Sequence, residues 1–152
     1  IIKFRYFYGD DYGDITKEQY NNAINLLKDD DAVFDIYIQG VSEAKTVSRS
    51  GSENLGYITV IDEIYDVFAG KYETALLSGD NEYRGGEFDS EVNFGEGISG
   101  NLYSYYYSNW PFDLDAGLEC RIFFDQSGEL FAIRYSSRAH DWRLSIFPVR
   151  EA

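Results

Sequence analysis

Hydrophobic positions in the first 40 residues follow two different periods. Residues 1–9, "IIKFRYFYG", and residues 32–40, "AVFDIYIQG", alternate apolar and polar side chains, which predicts two strands. Between them, helical spacing relates four apolar residues, Tyr20, Ala23, Ile24 and Leu27. Thr16 and Gln19 stand where a capping box requires them, so a helix is predicted to begin after Thr16. A connection this short allows the two strands to be parallel neighbours.

The next 30 residues change from polar to helical. The segment 42–56, "SEAKTVSRSGSENLG", is rich in serine and predicts a mobile loop. Helical spacing returns at Ile61, Ile64, Tyr65 and Phe68. Thr59 is the predicted N-cap of this second helix, and Gly70 is predicted to end it.

From Lys71 onward the pattern predicts short alternating strands separated by glycine-rich turns. The candidate strands are "YETALL", "EFDSEVNF", "LYSYYYS", "LECRIFF", "ELFAIRY" and "WRLSIFPV". Asp125 to Gly128 supplies a hairpin turn between two of them. The sequence therefore predicts a single domain over residues 1–152 of the α+β class, with two helices packed on one face of a mainly antiparallel sheet and a C-terminal β-meander.

Composition is that of a folded protein outside the membrane. Of the 152 residues, 44% are hydrophobic, and no apolar run approaches the roughly 18 residues that a membrane span needs. The single cysteine, Cys120, excludes an internal disulfide and is predicted to face the core. A cytoplasmic location is expected, although the chain has no methionine, and a lost N-terminal leader therefore stays open.

Charge limits the possible partners. The formal net charge is −14, from 27 acidic and 13 basic residues. Residues 1–119 contribute 23 acids and 8 bases, a net of −15, whereas residues 120–152 contribute 4 acids and 5 arginines, a net of +1. Such an excess repels nucleic acid and anionic lipid and favours a basic protein partner.

Two motif matches lack the context that their chemistry requires. "GEGISG", residues 95–100, matches the dinucleotide-binding pattern, but a strand-like segment follows it where a helix should hold the pyrophosphate. A glycine-rich hairpin loop is predicted instead. "DNEYRGGEFDSE", residues 80–91, resembles the spacing of an EF-hand calcium loop, yet Arg84 occupies a ligand position and the flanks predict strands.

The sequence offers no catalytic or metal-binding constellation. His140 is the one histidine and stands beside Asp141 in a predicted turn, so neither a histidine-based triad nor a histidine-rich zinc site has its residues. No catalytic residue, metal ligand or cofactor is predicted, and the chain is not expected to be an enzyme.

The stretch 100–112, "GNLYSYYYSNWPF", is the strongest candidate for a contact surface. In a strand, Tyr103, Tyr105 and Tyr107 share one face. Two interpretations stay open: tyrosines packed in the core below the helices, or a partly wet face that anchors a ligand. Base stacking would normally accompany a positive groove, so a protein or a sugar is the expected ligand.

These features predict an acidic binding protein that inhibits a basic partner, such as an immunity protein that neutralises a bacterial nuclease toxin. The predicted partner-binding residues are Asp80, Glu82, Glu87, Asp89, Glu91, Tyr103, Tyr105, Tyr107, Trp110, Asp113 and Asp115. Direct binding to nucleic acid or membrane is not expected. The alternatives are a carbohydrate-binding or carbohydrate-active module stacking sugars on Tyr105, Tyr107 or Trp110, a nucleic-acid mimic that inhibits a DNA-binding system, and an enzyme whose carboxylates hold a metal ion.

Overall fold

Two helices pack on one face of a seven-stranded antiparallel sheet in the part of the chain that the structure describes. This computed structural model describes residues 15–40, 43–72, 83–95, 97–108, 118–137 and 142–149. The helices are α1 (Lys17–Leu26) and α2 (Leu55–Phe68). The strands are β1 (Val33–Ile38), β2 (Lys45–Ser48), β3 (Tyr83–Gly95), β4 (Ile98–Ser108), β5 (Leu118–Phe124), β6 (Leu130–Ser137) and β7 (Trp142–Pro148).

The strands lie in the order β2-β1-β7-β6-β5-β4-β3. From β3 to β7 each strand pairs with the next one along the chain, which forms the predicted C-terminal meander. The β1–β2 hairpin joins this meander because β1 also pairs with β7. The α+β class, the helices on one face and the antiparallel sheet are thus confirmed.

The start of α1 is the one that the sequence predicts. The Thr16 hydroxyl accepts a hydrogen bond from the Gln19 amide, and the Gln19 side chain accepts one from the Thr16 amide, so both bonds of the capping box are present. Ile15 and Tyr20, on either side of the cap, are buried. The same Gln19 side chain donates a hydrogen bond to the carbonyl of Ser127, in the turn between β5 and β6.

The start of α2 differs from the prediction. The helix begins at Leu55, after a 3-10 turn over Ser52–Asn54, and Thr59 lies inside it. The Thr59 hydroxyl donates to the carbonyl of Leu55, four residues earlier, which a side chain within a helix can do and an N-cap cannot. The predicted end is confirmed, because the helix stops at Phe68 and Gly70 follows with φ of +68°.

The serine-rich segment is not a loop throughout. It contains β2, whose Val47 is fully buried opposite Phe34 of β1. The Thr46 hydroxyl also donates a 2.7 Å hydrogen bond to the Asp35 carboxylate across the same pair of strands. The buried valine and the cross-strand bond stabilise this strand, which the serine-rich sequence did not predict.

The main core lies between the helices and the sheet. Its largest fully buried side chains include Tyr20, Tyr105, Phe68 and Phe124. The two predicted core positions Leu27 and Ile133 are both buried in it, and so is Cys120. Burial raises the pKa of the Cys120 thiol well above its ordinary value, with the Glu63 carboxylate adding to the effect.

A smaller apolar cluster lies on the opposite face of the sheet, which we call the outer face. It consists of four buried residues, Val92, Leu102, Phe123 and Ala132. Phe94 packs its ring 5.1 Å from that of Phe123 and 5.4 Å from that of Phe147. Phe94 reaches this position beside the β3–β4 turn, where Gly95 and Gly97 take the positive φ values that favour glycine. Residues 95 and 97–100, the described part of the stretch "GEGISG", therefore lie in a hairpin, as predicted.

Some sequence predictions fall outside the described residues. These are the strand over residues 1–9, most of "YETALL", and the turn that holds His140. Among the described helices, none has both the length and the apolar character needed to cross a membrane.

Candidate binding surfaces

Tyr105, at the centre of the tyrosine stretch, belongs to the core. Its side chain is 0% exposed. Its ring lies 4.9 Å from that of Tyr20 in α1 and 5.5 Å from that of Phe124 in β5. The odd-numbered positions of β4 face the helices, and the prediction that Tyr105 lies on a contact surface is therefore wrong.

Tyr103 and Tyr107 lie on the same face but nearer its margins. Both are partly buried and pack against the main core. Tyr103 has a further neighbour, because its ring centroid is 4.8 Å from that of Phe88 on β3. Between the two open interpretations of the stretch, the core one holds for Tyr105, whereas Tyr103 contacts an exposed aromatic residue.

That residue, Phe88, stands on a strand at the end of the sheet. β3 pairs with β4 and, among the described strands, is the last on its side. The Phe88 side chain is 48% exposed, although it is large and apolar. Phe88 is followed by Asp89 and Glu91, which are both exposed. An aromatic ring and two carboxylates are therefore exposed along this one strand.

The structure describes only part of the other predicted acidic residues. Glu87 lies on β3, where its backbone pairs with Ser104. Of Glu87 only the backbone is described. The five other predicted residues Asp80, Glu82, Trp110, Asp113 and Asp115 lie outside the described residues. The structure thus joins Tyr103 to Phe88, which sequence analysis missed, and exposes Asp89 and Glu91 on the same strand as Phe88.

β3 also carries features that are typical of the last strand of a sheet. Its register with β4 shifts between Arg84 and Glu87, between Asp89 and Val92, and between Asn93 and Gly95. The Asp89 carboxylate accepts a hydrogen bond from the Glu91 amide, which fixes the backbone at the second of these irregularities. Bulges and charges keep an edge from pairing with an identical edge, because two such edges do not match in shape or charge.

A second candidate surface lies on the outer face, which sequence analysis did not single out. Cross-strand pairing places Tyr106, Arg121, Arg134 and Ser145 in one row across β4, β5, β6 and β7. A third arginine, Arg143, is opposite Ser136 in the neighbouring row. The region of the chain with a slight positive net charge is therefore folded so that three guanidinium groups share a face.

Aromatic rings and one main-chain carbonyl position the arginines. The Cζ atom of Arg134 lies 4.4 Å from the ring centroid of Phe94, and its Nη2 donates to the carbonyl of Asn93 in the β3–β4 hairpin. The Cζ atom of Arg121 lies 5.0 Å from the ring centroid of Tyr106. Such stacking leaves the edge of a guanidinium available for hydrogen bonds. Burial, and then the charges of Arg121 and Arg143, lower the pKa of Arg134.

These arginines line a cavity of about 700 Å³ between the outer face and the β3–β4 hairpin. Phe94, Ile98 and Phe147 form apolar parts of its wall. Among the described residues that line the cavity, one is acidic, Glu119. Its carboxylate accepts a 2.5 Å hydrogen bond from the Tyr106 hydroxyl. Burial and this hydrogen bond raise the pKa of Tyr106.

The signal for this surface was in the sequence. Arg121, Arg134 and Arg143 each stand beside a core residue on a strand of the meander, at the alternate position that must face away from the helices. What the sequence does not contain is the register that places them side by side.

The described residues contain no group of three or more His, Cys, Asp or Glu side chains arranged to hold a metal ion. Comparison of the chain with protein-family models, with curated proteins and with solved structures finds no match in any of the three.

Proposed function

We propose that this protein is an inhibitor that binds a basic protein through the β3 edge of its sheet. The observation that carries the proposal is the exposed Phe88 ring, which is supported by Tyr103 and followed on the strand by the carboxylates of Asp89 and Glu91. Aromatic anchors with charged surroundings are the usual composition of a protein-binding hot spot.

Phe88 is suited to be the anchor because it is already held in place. One side of its ring contacts Tyr103, so the ring loses little conformational freedom when a partner covers the other side. A partner that covers the exposed half of the Phe88 ring removes apolar surface from water and leaves the packing of the main core unchanged.

The charge of the protein determines what kind of partner fits. A net charge of −14 accelerates encounter with a basic protein and repels acidic ones. A second copy of this chain would bring the same carboxylates and the same irregular edge, which disfavours self-association through β3. A basic segment would instead place its cations beside Asp89 and Glu91.

Immunity proteins that neutralise nuclease toxins in bacteria are the class that this arrangement fits best. A nuclease presents lysine and arginine side chains where nucleic-acid phosphates bind, and carboxylates at such an edge can occupy those positions. A nucleic-acid mimic directed at a DNA-binding system uses the same chemistry and is the nearest variant. The sugar-stacking alternative loses one of its three proposed platforms, because Tyr105 is buried.

Affinity capture from the native lysate at low salt tests the proposal, with the wild-type chain and three variants as baits. Phe88→Ala removes the anchor and Asp89→Lys/Glu91→Lys reverses the charge at the edge. Asp30→Lys/Asp31→Lys, at two exposed positions in the turn before β1, reverses the same number of charges five strands away from β3 in the sheet and is the matched control.

The expected result is a basic protein that is retained by the wild type and by the Asp30→Lys/Asp31→Lys variant and is lost from both β3 variants. Salt should release it, since exposed charges are screened beyond about 10 Å at 0.1 M ionic strength. Retention of the same proteins by all four baits would rule out the β3 edge as the binding surface.

A further inference from the structure

The outer face of the sheet carries a second site, whose lining does not include Phe88, Asp89 or Glu91. We propose that the cavity lined by Arg121, Arg134 and Arg143 binds a small organic anion, with its phosphate or carboxylate group on the arginines and its apolar body against Phe94 and Phe147. The ligand class follows from the side chains, their charges and the size of the space.

Like charges lie side by side on the outer face. Arg121 and Arg134 are directly opposite each other on β5 and β6. Like charges at such positions repel each other and destabilise the pair of strands. Arg143 adds a third positive charge to the same face, and its charge acts on Arg134. An oxyanion bound between the guanidinium groups would remove this repulsion and gain charge-assisted hydrogen bonds.

The three arginines of the cavity have no carboxylate partner among the described residues. Within the described part of the chain, no carboxylate oxygen lies in ion-pair distance of these three arginines, although acids outnumber bases by 27 to 13 in the sequence. Elsewhere, Lys28 and Arg49 share Asp62 at 3.2 and 2.8 Å. The one lining acid, Glu119, is engaged by the Tyr106 hydroxyl. The arginines are thus left to an external anion.

The cavity has the volume and the lining of a small-molecule site. A volume of about 700 Å³ lies within the range of roughly 300–1,000 Å³ that is common for small-molecule sites. Phe94 and Phe147 provide apolar wall, and Tyr37 packs edge-on against Phe147. Hydroxyl groups of Ser136 and Ser145 border the same space. Planar cations beside apolar rings suit a ligand with a flat body and a charged end.

The charge of the whole protein favours a small anion over a polymer. A nucleic-acid strand would have to continue beyond the cavity across a surface whose net charge is −14. Each additional phosphate would then meet repulsion instead of counterion release. A compact anion is in contact only with the local excess of three arginines over one glutamate.

Paired probes test the site on the full chain. Adenosine monophosphate is compared with adenosine, and 1-naphthoate with 1-naphthamide, so that each anion has a neutral partner of the same shape. Inorganic phosphate and a single-stranded oligonucleotide complete the set. Calorimetry gives the dissociation constants, and the NMR signals of the arginine side-chain Nε–H groups show where each probe binds.

The variants are Arg121→Gln and Arg143→Gln, with Lys45→Gln as the matched control. Lys45 is exposed, and it pairs with the core residue Ile36, which places it on the helix-covered face of the sheet. Lys45→Gln therefore changes the net charge by the same amount as each arginine variant, but on the face opposite the cavity. The melting temperature of each variant is measured to verify folding.

We expect at least one organic anion to bind more tightly than its neutral partner and than inorganic phosphate, and to shift the arginine signals. Each arginine variant should weaken this binding by about tenfold or more, whereas Lys45→Gln should leave it unchanged. The phosphate and carboxylate pairs show which group the site prefers.

Three results would overturn the proposal. The first is that no anion shifts the arginine signals at concentrations up to about 10 mM. The second is that neutral and anionic partners bind equally, and the third is that the oligonucleotide binds more tightly than every small anion. None of these results bears on the proposed function, because Phe88, Asp89 and Glu91 do not line the cavity.

Discussion

The hydroxyl of Tyr20 donates a 2.7 Å hydrogen bond to the carbonyl oxygen of Phe68. This bond joins the middle of α1 to the last residue of α2, and both side chains are fully buried. The carbonyl also accepts a bond from the amide of Lys71, so the end of α2 is tied both to its own chain and to the other helix.

Tyr20→Phe should therefore lower the free energy of unfolding by about 1 kcal/mol, the usual net value of one buried hydrogen bond. The loss is not larger because the Phe68 carbonyl keeps its bond from Lys71. Urea denaturation measures the change. Tyr65→Phe, on the partly exposed side of α2, is the control and should be close to neutral. Equal losses in the two variants would mean that the Tyr20 bond contributes nothing.

The Gly128 turn should be coupled to the cap of α1. Gly128 has φ of +85°, and a Cβ atom there would lie only 2.3 Å from Nε2 of Gln19. Gly128→Ala should cost about 1–2 kcal/mol from the left-handed backbone alone, and more from displacing Gln19. In the background of Gln19→Ala the additional cost should disappear, and a double-mutant cycle measures this coupling. Strictly additive losses would contradict it.

Core and surface positions should respond to truncation in opposite ways. Leu27→Ala and Ile133→Ala each leave a cavity in the main core and should each cost about 2–5 kcal/mol. Lys45→Ala should be nearly silent, because its side chain is exposed on β2. Thermal and urea unfolding of the three variants compare them. A loss at Lys45 as large as the other two would refute this division.

Asp62 should make part of the stability depend on pH. The hydrogen bond from Arg49, and then that from Lys28, lower the pKa of this carboxyl below its ordinary 3.8, against the opposing effect of burial. A carboxyl with a lowered folded-state pKa stabilises the protein above its unfolded pKa and loses that contribution as the pH falls through the folded value. Asp62→Asn should therefore destabilise the protein at neutral pH and have no effect in acid below that value. A difference between the two proteins that stays constant from pH 7 to acid would exclude this role of Asp62.

Local signals in the sequence were sufficient where one residue decides the structure. The capping box at Thr16 and Gln19 fixed the start of α1, and the glycine after β5 fixed the β5–β6 turn. The start of α2 carried no such signal, because the Asn54 side chain makes no capping bond. β2 was missed because Val47 is the only buried residue in its four.

The candidate sites depended on relationships between strands, which one sequence does not contain. The alternation in β4 showed that Tyr105 shares a face with Tyr103, but the position of α1 decides that this face is covered at Tyr105. Likewise, Arg121 and Arg134 are 13 positions apart in the sequence and become neighbours only through the register of β5 with β6.

The position of β1 between β2 and β7 has a consequence for how the protein is made. On the ribosome, β1 emerges more than a hundred residues before β7, its partner in the centre of the sheet. During that interval β1 lacks the strand that pairs with it along the edge opposite β2. Contacts between such distant segments slow folding, because a long loop must close before they form. Synthesis that stops before Trp142 would leave β1 and β6 with open edges, and such nascent chains are the form of this protein that most needs a chaperone.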